Sequence, residues 1–258
     1  HELESIISPL YGGTFIDCTF GQGGYSKKIL ENPSNQVIAI DRDKEVLNNV
    51  LSVKKKFGSR FNFYNLKYSD IISLSPKIEN LKGVIFDLGY SSNQIHDNSR
   101  GISFKSKSKL NMKMGLNDFS AEDVINKLCL EDLTKVIKQL GDEQKGKLIA
   151  KNIILRRSKK KIDTQDLVSI IDKVKKHKKG KIHNATKTFQ ALRIFVNKEI
   201  SELIYGLINS YKLLPVGGVI VVVTFHSIED RIVKYFFKNY SEIKNDSRYY
   251  PQLNNKNK

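Results

Sequence analysis

The chain is poor in the residues that staple or anchor a protein. It has two cysteines, Cys18 and Cys129, far apart and without metal-ligand spacing. That excludes a disulfide framework and a cysteine zinc site, so no metal is expected and a reducing compartment is the default. No apolar run approaches the roughly 18 residues that span a bilayer, so no membrane association is expected. The first residue is His1 and not Met, which points to a start inside a longer product and leaves no targeting segment to read. Acidic residues are also scarce, with 27 Asp and Glu against 44 Lys and Arg, a net charge of +17.

That excess is concentrated. Residues 145–187 hold 15 Lys/Arg against 3 Asp/Glu, +12 of the +17. Lys- and Asn-rich composition can account for part of the total, but a clustered basic surface favours a polyanion, most simply nucleic acid.

With 40% hydrophobic and 28% charged residues over 258 positions, the chain is an ordinary soluble globular protein with enough apolar material for a sizeable core. Leu3, Ile6, Ile7 and Leu10 predict an amphipathic helix over residues 1–11 that covers a sheet. Strands are expected at Thr14–Asp17, Val37–Asp41, Phe61–Tyr64 and Gly83–Leu88, the second a continuous apolar run of the kind buried on both faces of a parallel sheet. Helices fall between them, over Gly24–Glu31 and from a cap at Asp43 to about Lys56. This alternation defines a doubly wound α/β fold, in which ligands lie outside the carboxyl ends of the strands. Asp17, Asp41, Asp70 and Asp87 are all expected at that edge.

From His96 the pattern changes. Residues 96–119, with Met112 and Met114, read as a long ordered loop or lid, and Ser120 with Asp123 opens a helix through a capping box. Leu133, Val136, Ile137 and Leu140 form one apolar stripe, and Leu167, Ile170, Ile171 and Val174 form another after the cap Asp163. Residues 96–187 therefore read as a lid plus a basic helical subdomain, inserted into a domain made of 1–95 and 188–258. A helix from Thr188 to about Leu214 returns the chain to the sheet, Pro215–Gly218 turns it, and Val219–Phe225 is a fifth strand. The tail after Tyr240 is expected to be frayed.

The stretch Asp17-Cys18-Thr19-Phe20-Gly21-Gln22-Gly23-Gly24 carries the cofactor signal. Glycines between a strand and a helix let backbone amides approach a ligand closely. The spacing is not that of a dinucleotide fingerprint, because the third glycine comes too early. Asp17 would repel a pyrophosphate but can accept hydrogen bonds from the ammonium of a methionine moiety, which favours S-adenosylmethionine over NAD. Asp41 stands where a second-strand acid holds ribose hydroxyls. Tyr68 could stack on adenine or pack as a half-buried aromatic, and Asp70 could accept the adenine amine or cap a helix. Asp87 could meet the reacting nitrogen or form a turn.

At this point the motifs resemble a known family, the bacterial 16S rRNA N4-cytosine methyltransferases, or MraW family. The residues that carry the resemblance are Asp17 to Gly24, Ala39-Ile40-Asp41-Arg42-Asp43 and Asp87-Leu88-Gly89-Tyr90-Ser91-Ser92-Asn93-Gln94. They continue in Arg100-Gly101-Ile102-Ser103-Phe104, in Ala185 to Arg193, and in Phe225-His226-Ser227-Ile228-Glu229-Asp230-Arg231-Ile232-Val233-Lys234. The resemblance implies a class I (Rossmann-like) methyltransferase sheet with an inserted substrate-binding subdomain. It implies S-adenosylmethionine held by Gly23, Gly24 and Tyr25, by Asp41, Tyr68, Asp87 and Gln94, with Gly21 in the same loop. It also implies small-subunit rRNA as partner and a decoding-centre cytidine as substrate, in the bacterial cytoplasm or alternatively an organelle matrix. The oligomeric state stays open, a homodimer included. Tyr25 stands where the family usually has His, Tyr68 for Phe, Asn93 for Pro, Asn111 for Asp and Cys18 for Gly.

An aromatic amine is a poor nucleophile, so the enzyme must orient it in line with the methyl and accept its proton. Asp87, or the backbone of Leu88 and Gly89, is the expected acceptor, with Ser91, Ser92 and His226 near the base. His226 has an equally good reading as a capping group. Two rival functions share the same residues: a transferase acting on another amine, and a non-catalytic RNA-binding assembly factor that keeps the fold.

Overall fold

A computed structural model describes residues 12–106, 108–175 and 182–240. The helix expected at 1–11 and the tail beyond Tyr240 lie outside the described residues. The chain divides into two compact units, one comprising described residues 12–41, 46–89 and 203–240, the other 42–45 and 90–202. The second unit is thus wider at both ends than the 96–187 segment expected from sequence.

The first unit is a five-stranded, wholly parallel sheet of β1 (Gly13–Asp17), β2 (Asn35–Asp41), β3 (Phe61–Asn65), β4 (Leu81–Asp87) and β5 (Val219–Val223). The strand order is β3-β2-β1-β4-β5. Side chains alternate across a strand, so each apolar run feeds two cores. Ile16, Ile38, Ile40, Val84 and Phe86 point to one face, against Leu203 and Leu207 of α9 (Glu199–Leu213) and Val233 and Phe236 of α10 (Ser227–Tyr240). Phe15, Val37, Ala39, Ile85 and Val221 point to the other, against Ile29 of α1 (Gly24–Ile29) and Val53 of α2 (Leu47–Phe57). Burial on both faces is why these strands read as unbroken apolar runs. Truncating one of the fully buried residues, such as Ile40, to Ala would cost about 2–5 kcal/mol.

The second unit carries α3 (Ser92–His96), α4 (Ala121–Lys127), α5 (Leu130–Lys135, continued by a π-helical turn over Val136–Leu140), α6 (Gly146–Arg157), α7 (Thr164–Val174) and α8 (Thr186–Asn197). Both predicted stripes enter its core, which Leu110 and Met112 of the 96–119 segment share. Ser120 and Asp123 form the expected capping box, and Asp163 caps α7 by accepting the Asp166 amide at 2.8 Å.

The single helix expected from Thr188 to Leu214 is two. Lys198 adopts a left-handed conformation (φ 53°) and separates α8 from α9. Buried Asn197 holds the break, donating to the carbonyls of Met112 and Arg193 at 2.8 Å each while its oxygen accepts the Met114 amide at 2.9 Å. Asn and Lys at these two positions carry no strong breaking signal in sequence; the tertiary bonds of Asn197 make the turn.

Candidate functional site

At the carboxyl edge of the sheet, β1 ends in Asp17 and the glycine loop begins. Asp17 is fully buried. Its Oδ2 accepts the Ser26 hydroxyl at 2.6 Å and its Oδ1 the Thr19 amide at 3.2 Å, so it ties the loop to α1 from beneath. Desolvation pushes its carboxyl from 3.8 up to about 6, against the lowering effect of those bonds. Asp17 is therefore turned inward beneath the loop and shapes it through Ser26 and Thr19.

The loop above it is packed on one side and open on the other. Gly23 has φ +76°, and a Cβ there would lie 2.8 Å from the Phe20 ring. Gly21, at φ +50°, and Gly24, the first residue of α1, face open space: a Cβ at Gly24 meets nothing within 4 Å. Without side chains at Gly21 and Gly24 this strip stays clear, and the backbone there is open to close approach by a ligand. The Gly21 amide donates to Asp41 Oδ2 at 2.8 Å, fixing the acid that ends β2 beside the loop. Asn49 Nδ2 holds the Gly21 carbonyl at 3.2 Å, and the Thr19 hydroxyl accepts the Asp87 amide at 2.8 Å, which ties the loop to the end of β4.

Asp87 is half-buried, and its carboxylate accepts the hydroxyl of Tyr25, the second residue of α1. Desolvation raises the Asp87 carboxyl, partly offset by that hydrogen bond. Burial also raises the Tyr25 phenol, with the charges of Asp87 and Asp17 adding to it. A carboxylate so placed is a better proton acceptor than an exposed one. The pairing was not legible in sequence, because Tyr25 and Asp87 are 62 positions apart and Tyr25 was expected only at the start of the first helix, as a cofactor-binding residue.

The remaining residues of this unit take other roles. Tyr68 meets Phe86 edge-to-face (centroids 5.5 Å apart) and lies against Gly206, where a Cβ would come within 2.8 Å of its ring. It follows the packing alternative. Asp70 is not at a strand end: β3 stops at Asn65, and Asp70 sits exposed in the 3-10 turns of Tyr68–Lys77. His226 stands at the start of α10, its Nδ1 3.4 Å from the Glu229 amide. Its Nε2 lies 3.2 Å from Glu229 Oε1 without hydrogen-bond alignment, and Glu229 Oε2 accepts the Phe225 amide at 3.0 Å. His226 is thus a capping group with a buried acid beneath it.

Within the second unit, Ser91 and Gln94 form a reciprocal capping box on α3, whose first residue is Ser92. Gln94 Nε2 also donates to Asp43 Oδ2 at 2.7 Å. Asp43, expected only as a helix cap, accepts the Glu45 amide at 3.1 Å and in addition pairs with Arg100 at 2.7 Å. Arg42 donates to the carbonyls of Gly115 and Asn197 at 2.7 and 2.8 Å. The segment just after Asp41 is thereby locked to the 96–119 loop. Arg193 forks onto Glu199 at 2.9 and 2.8 Å, with the Tyr90 ring 5.0 Å from its guanidinium. Sequence reasoning missed this pair because six-residue spacing is not a helical contact; the Lys198 break creates it. Asn111 Oδ1 is buried with no hydrogen-bond partner among the described residues.

The basic run is partly consumed internally. Arg156 and Lys160 pair with Asp166, Lys161 with Glu122, and Lys175 with Glu143. Lys147, Lys151, Lys159 and Lys173 are exposed.

A parallel sheet in this strand order, with a glycine loop after β1 and acids closing β1, β2 and β4, defines a Rossmann-like methyltransferase. The family profile described as the MraW methylase family matches residues 1–256. Relatives named ribosomal RNA small subunit methyltransferase H include that of Rickettsia africae (strain ESF-5), 42% identical over 243 residues, covering 94% of this chain and 79% of the relative. That of Orientia tsutsugamushi (strain Ikeda) is 40% identical over 240 residues, 91% of this chain and 77% of the relative. That of Rickettsia prowazekii (strain Madrid E) is 41% identical over 242 residues, 93% and 79%. The chain belongs to the MraW methylase family. Among the described residues no helix is long and apolar enough to cross a membrane.

Proposed function

We propose that this chain methylates the exocyclic N4 of a cytidine in the decoding region of small-subunit rRNA. S-adenosylmethionine would supply the electrophilic methyl group. The observation that carries the reading is Asp87, a half-buried carboxylate at the end of β4, hydrogen-bonded to Tyr25 and tied through Thr19 to the glycine loop. The relatives' name, ribosomal RNA small subunit methyltransferase H, supports the rRNA assignment.

In this reading the open strip at Gly21 and Gly24, with Tyr25 next in the chain, would receive the cofactor, and Asp41 would take its ribose hydroxyls. Asp87 accepts hydrogen bonds from the target amine, which fixes its lone pair toward the methyl, and takes up the proton as the new bond forms. General-base assistance of this kind contributes about 10²–10⁴-fold. The target base leaves its stack to reach that geometry, and the second unit docks rRNA phosphates through its exposed lysines.

Calorimetry with S-adenosylmethionine, followed by tritium transfer to unmethylated small subunits, tests the reading. Binding and transfer by the wild type, with transfer lost and binding kept in Asp87→Asn, are expected. Full turnover of Asp87→Asn would remove the acceptor role.

A further inference from the structure

Among its described residues, the first unit leaves one large aromatic side chain exposed at the carboxyl edge of the sheet. Phe225 is 67% exposed. It stands two residues beyond Val223, which pairs directly with Asp87 across β4 and β5, and the Leu88 amide donates to the Val223 carbonyl at 3.1 Å. The ring lies on Gly89: a Cβ there would be 3.3 Å from Phe225 Cδ2, and Gly89 holds φ +101°. The left-handed backbone favours glycine at this position, and a Cβ there would press on the ring.

Isolated exposed aromatics are common and need no function. Phe225 differs in three respects. Its backbone is anchored, because its amide donates to Glu229, which is itself 3% exposed and held beside His226. The ring lies close against Gly89, with Cδ2, Cγ and Cε2 all within 4 Å of where a Cβ there would sit. The other exposed aromatic of this stretch, Tyr90, already has Arg193 over its ring at 5.0 Å. Tyr205, Tyr211, Tyr235 and Tyr240 sit on the bodies or ends of α9 and α10.

We propose that Phe225 is the stacking platform that holds the unstacked target base beside Asp87. This assignment rests on the base-methylation reading above. Removing a base from its neighbours forfeits stacking, and a fixed aromatic face restores it without regard to base identity. The amine is then presented edge-on to the acceptor at the end of β4. Phe225 is a substrate-positioning residue in this role and takes no part in the proton transfer.

The test compares Phe225→Ala, →Leu, →Tyr and →Trp for cofactor affinity by calorimetry and for tritium transfer to unmethylated small subunits. The Ala and Leu variants should lose about ten- to hundredfold in kcat/KM for the subunit, the range set by one base–aromatic stack, while Tyr and Trp stay within a few-fold of wild type. Cofactor Kd should not change in any of them. The chain contains no tryptophan, so Phe225→Trp also provides a single tryptophan that can be excited apart from the tyrosines, and its emission should be quenched when a small-subunit rRNA transcript binds. Full activity of the Leu variant would mean apolar packing and not stacking, and would overturn the proposal, as would unquenched emission in an rRNA complex or a parallel loss of cofactor affinity. A wild type that binds the cofactor but transfers nothing to subunits would instead overturn the underlying reading, and this assignment with it.

Discussion

Replacing Tyr25 by Phe deletes one hydroxyl and should move the pH dependence of catalysis. The Tyr25 hydroxyl donates to the Asp87 carboxylate and is the contribution that lowers its pKa, working against the dominant effect of burial. Without it the Asp87 carboxyl rises further, so the ionised acceptor appears only at higher pH. A hydrogen bond to a full charge is worth about 1.5–3 kcal/mol. Asp87 is only half-buried, so solvent screening leaves about 1 kcal/mol, equivalent to about 0.5–1 pH unit at 1.36 kcal/mol per unit. The assay is kcat/KM for methyl transfer, measured from acid to neutral pH for wild type and Tyr25→Phe. The acid limb should shift to higher pH by that amount, with rates on the limb falling about three- to tenfold and the plateau little changed. Superimposable profiles, or a uniform loss at every pH, would show that Tyr25 does not tune Asp87.

Asp17→Asn should stabilise the protein above neutrality. The folded carboxyl titrates near 6 and the unfolded one at 3.8; below 3.8 both are protonated and no penalty exists. Between 3.8 and about 6 the folded state retains a proton that the unfolded state releases, so stability falls as pH rises, by about 3 kcal/mol in all. Denaturant melts on either side of this window should show that slope in wild type and a flatter one in Asp17→Asn; equal slopes would contradict it. Arg193→Ala strands the buried Glu199 carboxylate and should cost about 3–5 kcal/mol, read as a lowered denaturation midpoint, and Arg193→Lys should recover only part because the two-bond fork is lost. Changing Lys147, Lys151 and Lys159 to Gln should weaken rRNA binding and reduce the slope of log K against log salt by about 0.7–0.9 per phosphate contact removed; an unchanged slope would place the docking surface elsewhere.

Strands with both faces buried were legible because their apolar runs are continuous and each is bounded by turn residues. Val37–Asp41 and Gly83–Leu88 are examples, and the observed β2 and β4 extend them by two residues at the start. The stripes of the second unit and its caps at Ser120 and Asp163 were legible for the same local reason. What failed depended on contacts between distant residues. Asp17 is an acid at a strand end in either reading, and only its burial against Ser26 shows that it faces inward. Asp70 lies five residues beyond the end of β3, and the 3-10 turns of Tyr68–Lys77 carry it to an exposed position. The Thr188–Leu214 helix has no breaker at Asn197-Lys198; the bonds of Asn197 to Met112 and Met114 break it. Ser91 and Gln94 sit in the motif that carries the family resemblance, yet within their own unit they cap α3 and grip Asp43.

The central claim is that this sheet edge directs methylation to a base amine. Small subunits methylated by the purified chain, digested to nucleosides and analysed by mass spectrometry, test it most directly. The account predicts N4-methylcytidine from wild type, and none from Asp87→Asn at equal cofactor occupancy. A methyl group on a ring carbon, on a ribose or on ribosomal protein, or an undiminished yield from Asp87→Asn, would contradict it.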